Sequence, residues 1–178
     1  MAIADEANAS GRFDAVIHNA GVGSGRAGDI RAVNVLAPYL LTALMTRPDR
    51  LVYLSSGMHR SGHGDLAHLD HPSYGDSKLF DAALAAGVAR RWPTVRSNAV
   101  DPGWIKTKMG GSGAPGSLEQ GAATQVWLAT SDDPAALVSG RYFLDLREQE
   151  PAAAVRDEGF QDTLLVELAS ITGVPLPE

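Results

Sequence analysis

Three short apolar runs, each closed by a glycine-containing turn, constrain the fold of this 178-residue chain most strongly. FDAVIH (13–18) is followed by Asn-Ala-Gly, RLVYLSS (50–56) by glycine, and VRSNAV (95–100) by Asp-Pro-Gly. Runs of this length with such ends are typical of buried strands. Apolar residues at helical spacing over 29–46 and 73–91 separate the three runs, so we predict βα units with parallel strands.

The rest of the chain continues this alternation. The sequence predicts a helix over 118–130, a strand over 141–146 and a short final helix near 160–171. The glycine-rich segment 104–117 is expected to be a mobile loop. We therefore predict one α/β domain over residues 1–178, a doubly wound parallel sheet with helices on both faces.

The composition excludes several classes of function. The net charge of −6 argues against a nucleic-acid partner, because phosphate neutralisation needs a basic surface. No apolar run approaches the ~20 residues of a membrane span, and the acidic N-terminus lacks the order of a signal peptide. The absence of cysteine fits a reducing compartment. We expect a cytoplasmic protein with neither a membrane nor a nucleic-acid partner.

The segment YGDSK (74–78) carries the clearest chemical pattern. Tyr74 and Lys78 are four residues apart, so on a helix they lie on one face, one turn apart. A nearby lysine ammonium favours a phenolate, which would make Tyr74 a usable general acid/base at neutral pH. The alternative is a surface helix on which the two residues meet only by chance.

Ser55 and Ser56 lie where the run 50–56 meets a loop. Ligands of open α/β sheets bind outside the carboxyl ends of the strands, so a hydroxyl here could hydrogen-bond a substrate oxygen beside Tyr74. Alternatively, the hydroxyl satisfies the loop backbone. Neither serine lies in G-x-S-x-G, so a serine hydrolase is excluded.

Five segments resemble, in their order, the short-chain dehydrogenase/reductase family: HNAG, VNVLAPYLL, LVYLSSG, YGDSK and NAVDPGWIKT. The resemblance covers most of the chain, from about residue 13 to at least residue 145. It implies a Rossmann-like fold and an NAD(P)-dependent oxidoreductase that interconverts a carbonyl and a secondary alcohol by hydride transfer. The substrate would be a small molecule.

The resemblance also implies a catalytic tetrad of Asn34, Ser56, Tyr74 and Lys78. Tyr74 would exchange a proton with the substrate oxygen, which Ser56, preferred over Ser55, would orient. Lys78 would support Tyr74 and hydrogen-bond the nicotinamide ribose. The carbonyl of Asn34 would hold a water that leads to the lysine.

An independent physical argument singles out Asn34. It lies on the apolar face of its helix, where a buried asparagine is ordinarily structural. Pro38 follows four residues later and has no N–H, so the carbonyl of Asn34 loses its helical partner. We expect a kink and a free carbonyl at this position.

The segments that match the family's cofactor-binding positions lie after the first and third strand candidates. Asn19 would also stabilise the sheet. The residues implied to contact the cofactor are Asn19, Ala20, Gly21, Tyr74, Lys78, Pro102, Gly103, Ile105 and Thr107. Trp104 and Met109 would line the substrate side, or alternatively pack as core or lid residues.

Two patterns point elsewhere. Gly23, Gly25 and Gly28 match G-x-G-x-x-G, and Asp49 lies about twenty residues further on, as in a dinucleotide fingerprint. By the resemblance, however, HNAG identifies this segment as the turn after a later strand, which borders the cofactor cleft without being the phosphate-binding loop.

The histidines before Tyr74 suggest a metal site. Their spacing is not a recognised ligand pattern and no cysteine assists. We therefore predict no metal, and a solvent-exposed loop near the substrate. The histidines concerned are His59, His63, His68 and His71.

Complete family members begin with a strand and a T-G-x-x-x-G-x-G turn that binds the pyrophosphate. This sequence contains no such segment. By the motif order, residue 1 falls in the helix before the fourth strand, so we expect a truncated domain. The strand 13–18 would then have an exposed edge. Binding of NAD or NADP is correspondingly in doubt, and the alternative is a cofactor-free, inactive remnant that acts as a subunit or binding protein.

The resemblance further implies a homo-dimer or tetramer. The helices over 29–46 and 73–91 match those that build a four-helix interface in many relatives. The second is rich in alanine and contains Gly87, which permits close helix approach.

Overall fold

The computed structural model describes residues 2–23 and 27–178; Gly25 of the glycine pattern lies outside them. The helices are α1 (Ala2–Ala9), α2 (Ala27–Ile30), α3 (Ala37–Leu44), α4 (Tyr74–Arg91), α5 (Leu118–Thr130), α6 (Ala153–Arg156) and α7 (Glu158–Thr172). The strands are β1 (Ala15–His18), β2 (Arg50–Leu54), β3 (Arg96–Asp101), β4 (Tyr142–Leu144) and β5 (Arg147–Gln149). A π-helical turn (Arg31–Leu36) joins α2 to α3, and a 3₁₀ turn (Gly57–Ser61) follows β2.

The strands form one sheet in the order β1-β2-β3-β4-β5. The first four are parallel, as predicted, but β5 runs antiparallel to β4. The single strand expected over 141–146 is therefore wrong: it ends at Leu144 and turns back through Asp145 and Leu146. Both turn residues have positive φ, 49° and 61°, a conformation that hairpins usually obtain from glycine or asparagine.

Helices cover both faces of the sheet, which confirms the doubly wound architecture. Because successive strand residues point to opposite faces, Leu51 and Tyr53 join the core beneath α4 and α7, whereas Val52 and Leu54 join the core that contains Leu128 of α5. Because β1 to β4 are parallel, their carboxyl ends lie at the same edge of the sheet, where the loops can form a site.

The strand β1 forms an edge of the described sheet. It pairs with β2, and all four of its residues are only half-buried, whereas most residues of β2 and β3 are buried. Within residues 2–23 and 27–178 its other side pairs with no strand, as expected from the sequence.

The helix predicted over 29–46 is interrupted. A π-helical turn spans Arg31–Leu36, and the N–H of Ala37 donates to the carbonyl of Ala32, five residues back. Pro38 lies in the first turn of α3, directly after Ala37, where its missing N–H is tolerated. The predicted irregularity is therefore present, in the form of a π-turn.

The face of α4 that contains Gly87 packs against α7 of the same chain. A methyl group on Gly87 would lie 3.2 Å from Leu165 Cδ1 and 3.5 Å from Gln161 Cβ. The close approach predicted for a partner subunit is thus made within the chain, and this side of α4 is not open to a second copy.

In the part of the chain that the structure describes, no helix combines the length and apolar character needed to cross a membrane.

Candidate active site

The position of Tyr74 is set by a capping box at the start of α4. The Ser73 hydroxyl accepts from the N–H of Asp76 (3.1 Å), and the Asp76 carboxylate accepts from the N–H of Ser73 (2.9 Å). Burial alone would raise the pKa of Asp76, but hydrogen bonds from Ser73 and His63 outweigh it and lower this pKa to about 2. Tyr74 is half-buried in the first turn that this box fixes.

Lys78 lies one turn further along the same helix, as predicted, and is buried. Its ammonium donates to the carbonyl of Leu54 (2.6 Å) and to the carboxylate of Asp81 (2.8 Å). The Nζ atom is 5.8 Å from the ring centroid of Tyr74. The structure therefore brings the lysine close to the phenol and fixes it by two buried acceptors.

The two serines after β2 differ in their environment. Ser55 is buried, and its hydroxyl donates to the carbonyl of Lys78 (2.7 Å), which ties α4 to the end of β2. Ser56 is half-buried, and its hydroxyl accepts from the N–H of Met58 (3.2 Å) at the start of the 3₁₀ turn. A hydroxyl that accepts can still donate its own proton, so Ser56 is the serine available to a substrate.

Two glycines bring the Ser56 loop against α4. A methyl group on Gly75 would lie 2.7 Å from Ser61 Oγ and 3.1 Å from the carbonyl of Met58. A methyl group on Gly62 would lie 2.8 Å from the carbonyl of Gly75. The turn that Ser56 caps therefore packs directly on the first turn of α4, next to Tyr74.

Asn34 is buried in the π-turn, and its amide joins three parts of the site. The Oδ1 atom accepts from the N–H of Val22 (2.8 Å), and Nδ2 donates to the Val22 carbonyl (2.9 Å) and to Ser77 Oγ (3.0 Å). A methyl group on Gly21 would lie 3.5 Å from Asn34 Oδ1 and 3.7 Å from Lys78 Nζ. Asn34 thus holds the turn after β1 against α4; the use of its carbonyl stays a prediction.

The remaining cofactor candidates after β1 are exposed. Asn19 and Ala20 lie at the carboxyl end of the strand, where a ligand could reach them. The side chain of Asn19 makes no hydrogen bond within residues 2–23 and 27–178, and its predicted stabilisation of the sheet stays a prediction.

The segment after β3 begins with Pro102 and Gly103. Gly103 has a φ of 80°, and its N–H donates to the carboxylate of Asp101 (2.8 Å). Ile105 packs against Gly116 and Gly121, which anchors the loop. The Thr107 hydroxyl accepts from the N–H of Gly110 (3.0 Å) and is exposed. The mobility expected of residues 104–117 stays a prediction.

Two large apolar side chains of this loop are exposed, so they are not core residues. Trp104 is 63% exposed, and its indole N–H donates to the carbonyl of Gly110 (2.9 Å). Met109 is 52% exposed and reaches towards the turn after β1, because a methyl group on Gly23 would lie 2.9 Å from Met109 Cγ. Both are placed where a substrate or lid contact is possible.

The four histidines do not act as one group. His59 is buried; its Nδ1 lies 2.7 Å from the carbonyl of Ser56, and its Nε2 accepts from the N–H of Ala152 (3.0 Å). The rings of His63 and His68 stack at 4.1 Å beside Asp76, with potential ligand atoms within 4.8 Å of one another. The oxygens of Asp76 already accept hydrogen bonds from Ser73 and His63. The absence of a metal stays a prediction.

Sequence reasoning missed Ser77 and Asp81, and its expectation of a solvent-exposed loop is wrong for His59, which is buried. Asp81 carried the clearest signal, because an aspartate three residues after Lys78, in a helix rich in alanine and leucine, lies within reach of the ammonium. His59 carried no such signal, since its partners come from distant segments.

No family model matches the sequence. The short-chain dehydrogenase chyC of Penicillium rubens is 38% identical over 194 residues, an alignment that covers 98% of this chain and 75% of that relative. The chain belongs to the short-chain dehydrogenase/reductase family. The family resemblance in the motifs is thereby confirmed.

Solved structures confirm the family's fold in this chain. An uncharacterized protein from Mycobacterium paratuberculosis superimposes with a TM-score of 0.79, with 22% identity, over 99% of this chain and 73% of that one. BdcA in complex with NADPH gives a TM-score of 0.64, with 23% identity, over 80% and 68% of the two chains.

The residues present fit the nicotinamide-ribose half of a dinucleotide. The buried Lys78 uses two of its three N–H groups on Leu54 and Asp81, which leaves one for a ligand oxygen. Gly21 lies against this ammonium without a side chain, in space that a methyl group would fill. For the pyrophosphate the sequence offers no T-G-x-x-x-G-x-G segment.

Proposed function

We propose that this chain carries the catalytic residues of an NAD(P)-dependent oxidoreductase that interconverts a carbonyl and a secondary alcohol on a small molecule. The observation that carries this proposal is the buried Lys78 ammonium, 5.8 Å from the Tyr74 ring and fixed between Leu54 and Asp81. A purely structural lysine would gain little from burial beside a half-exposed tyrosine, because desolvation of its charge is costly.

The proposed chemistry assigns one task to each side chain. In carbonyl reduction the Tyr74 hydroxyl donates its proton to the substrate oxygen, and in alcohol oxidation the phenolate takes the proton back. The Lys78 ammonium favours the phenolate electrostatically. Ser56 donates a hydrogen bond to the substrate oxygen. Asn34 holds the turn after β1 against α4. The nicotinamide cofactor, when bound, would supply or accept the hydride.

We propose that the cofactor lies across the carboxyl ends of β1, β2 and β3. Tyr74 and Lys78 would hold its nicotinamide ribose. NADPH is the first cofactor to test, since BdcA binds it and has the same fold. The other proposed contacts are Asn19, Ala20, Gly21, Pro102, Gly103, Ile105 and Thr107.

The second candidate is a cofactor-free, inactive subunit or binding protein. Residues 1–178 contain no T-G-x-x-x-G-x-G turn, which binds the pyrophosphate in this fold, so cofactor binding by this chain has to be measured. A fluorescence titration of the chain with NADPH and NADH separates the two candidates. Saturable binding supports the oxidoreductase, and no binding at millimolar cofactor contradicts it for this chain.

If the cofactor binds, Tyr74→Phe tests the proposed acid/base. Loss of the hydroxyl removes proton transfer, so we expect kcat to fall by about 10²- to 10⁴-fold. Tyr39→Phe is the matched control, because the Tyr39 hydroxyl donates to the carbonyl of Val174 and not to a residue of the candidate site. Unchanged turnover in Tyr74→Phe would refute the assignment.

We also propose a cytoplasmic location and a homo-dimer or tetramer. Such an oligomer would need a surface other than the Gly87 face of α4, which α7 covers. Sedimentation velocity would measure the oligomeric state, and a monomer would contradict this part of the proposal.

A further inference from the structure

Asp81 forms an ion pair with Lys78 inside the protein. Its carboxylate lies 2.8 Å from the ammonium, and the two side chains are only 6% and 5% exposed. In every other ion pair of the described residues at least one side chain is substantially exposed. Asp81 is therefore in a position to act on the lysine without competition from solvent.

The helix aligns Tyr74, Lys78 and Asp81 at positions i, i+4 and i+7, which lie on one face. The carboxylate takes one N–H of the ammonium and the carbonyl of Leu54 takes a second. Two acceptors at fixed positions determine where the charge lies and where the third N–H can point. Without the carboxylate, a buried ammonium would keep only one neutral acceptor, which is costly in a low dielectric.

We propose that Asp81 is a positioning residue, whose carboxylate holds the Lys78 ammonium in the place from which it acts on Tyr74 and on the cofactor ribose. The inference deepens the proposed oxidoreductase function and rests on it for the catalytic consequence. The ion pair itself does not depend on that function, so the two can fail separately.

Tyr53, beside the ion pair of Lys78 and Asp81, and its neighbour His18 are uncharged at neutral pH. Burial raises the pKa of Asp81 to about 6, although the Lys78 ammonium lowers it in part. Tyr53 faces Asp81 from β2, and burial raises the pKa of its phenol far above the ordinary value. His18, whose ring lies 4.6 Å from that of Tyr53, has a pKa lowered to about 4 by burial. Of these groups, Asp81 is the one whose raised pKa brings its change of charge closest to neutral pH.

The test uses the chain labelled with ¹⁵N-lysine, whose lysines are Lys78, Lys106 and Lys108. We expect one slowly exchanging ammonium signal, absent in Lys78→Arg, because Lys78 is buried and the other two are exposed. Asp81→Asn should shift or abolish this signal. Ser97→Ala is the control: it removes a hydrogen bond from β3 to the Ala85 carbonyl of α4 without touching Lys78, and should leave the signal unchanged.

A measurement on the unaltered chain covers the case that Asp81→Asn does not fold. The Lys78 signal should change as the pH is lowered and Asp81 takes up a proton, in step with the ¹³C-carboxyl signal of Asp81. A Lys78 signal that stays constant while the Asp81 carboxyl signal titrates, or that is the same in a folded Asp81→Asn variant, would overturn the proposal.

The catalytic consequence is measured on the same variants. We expect kcat of Asp81→Asn to fall at least tenfold and the cofactor Kd to rise, with Ser97→Ala near the unaltered chain. An altered Lys78 signal with unchanged kcat and Kd would also overturn the positioning role. If the unaltered chain neither binds cofactor nor turns over substrate, the proposed function fails, while the NMR result still decides whether Asp81 holds Lys78.

Discussion

The α4 side of the site and the loop that follows β3 are built in opposite ways. On the α4 side, Asn34, Lys78 and Asp81 are buried; Asn34 and Lys78 make hydrogen bonds between elements, and Asp81 pairs with Lys78. In the loop, Trp104 and Met109 are more than half exposed, and the polar contacts are local turns such as Gly110 to Thr107.

The difference follows from what each part is proposed to do. Proton transfer depends on charges held at fixed distances, which burial and paired hydrogen bonds provide. Substrate contact tolerates variation, because an exposed loop can change sequence without loss of the core. We therefore expect substitutions on the α4 side to affect stability and catalysis together, and substitutions of the exposed Trp104 and Met109 to affect substrate binding with little change in stability.

The largest effect on stability is expected for Lys78→Met. This change leaves the Asp81 carboxylate buried without its ammonium, and breaking a buried pair costs about 3–5 kcal/mol. The loss should be smaller at pH 5 than at pH 8, because burial raises the pKa of Asp81 and a protonated carboxyl needs no cation. Chemical denaturation at the two pH values measures this.

The exposed Lys106 supplies the control for that experiment. Lys106→Met removes the same charge from the loop and should change the free energy of unfolding by less than about 0.5 kcal/mol. If Lys78→Met and Lys106→Met lowered the free energy of unfolding equally, the proposed difference between the buried α4 side and the exposed loop would be wrong.

A smaller effect is expected for Asp76→Asn at the start of α4. The pKa of Asp76 is depressed to about 2 in the folded chain, so its carboxylate contributes stability above the unfolded pKa of about 4. We expect Asp76→Asn to lower the free energy of unfolding by about 2 kcal/mol at pH 7, and this difference should disappear as the pH falls from about 4 to about 2. Urea denaturation across this range measures the loss.

The pH dependence of stability distinguishes Asp76 from Asp81, although both are buried aspartates of α4. Hydrogen bonds from Ser73 and His63 lower the pKa of Asp76, whereas burial raises that of Asp81. If Asp76→Asn lowered the free energy of unfolding equally at pH 2 and pH 7, the negative charge of the Asp76 carboxylate would contribute nothing to stability.

Local patterns were sufficient for much of this architecture. The βα alternation follows from the spacing of apolar residues, and the helix observed over Leu118–Thr130 has the predicted bounds. The break at Pro38 follows from its missing N–H, although a π-turn rather than a simple kink satisfies the backbone. The shared face of Tyr74 and Lys78 on α4 follows from their i,i+4 spacing, whereas their place in a catalytic tetrad is implied only by the family resemblance and stays a prediction.

Long-range packing accounts for the features that the sequence did not predict. The hairpin to β5 turns through Asp145 and Leu146, which lack the glycine signal of such turns. Gly87 indicated a close helix approach, but nothing local showed that the partner would be α7 of the same chain. His59 has partners in Ser56 and Ala152, which only the folded chain brings together.

The smallest effect on stability is expected for Trp104→Ala, which tests the loop side directly. Because the indole is 63% exposed, the free energy of unfolding should change by less than about 0.5 kcal/mol. If the proposed function holds, loss of this apolar surface should raise the substrate KM severalfold and leave kcat almost unchanged. Steady-state kinetics and denaturation on one preparation measure both quantities. If Trp104→Ala lowered the free energy of unfolding as much as Asp76→Asn does, Trp104 would support the fold. The exposed loop would then contribute to stability as the buried α4 side does, and the distinction between them would be wrong.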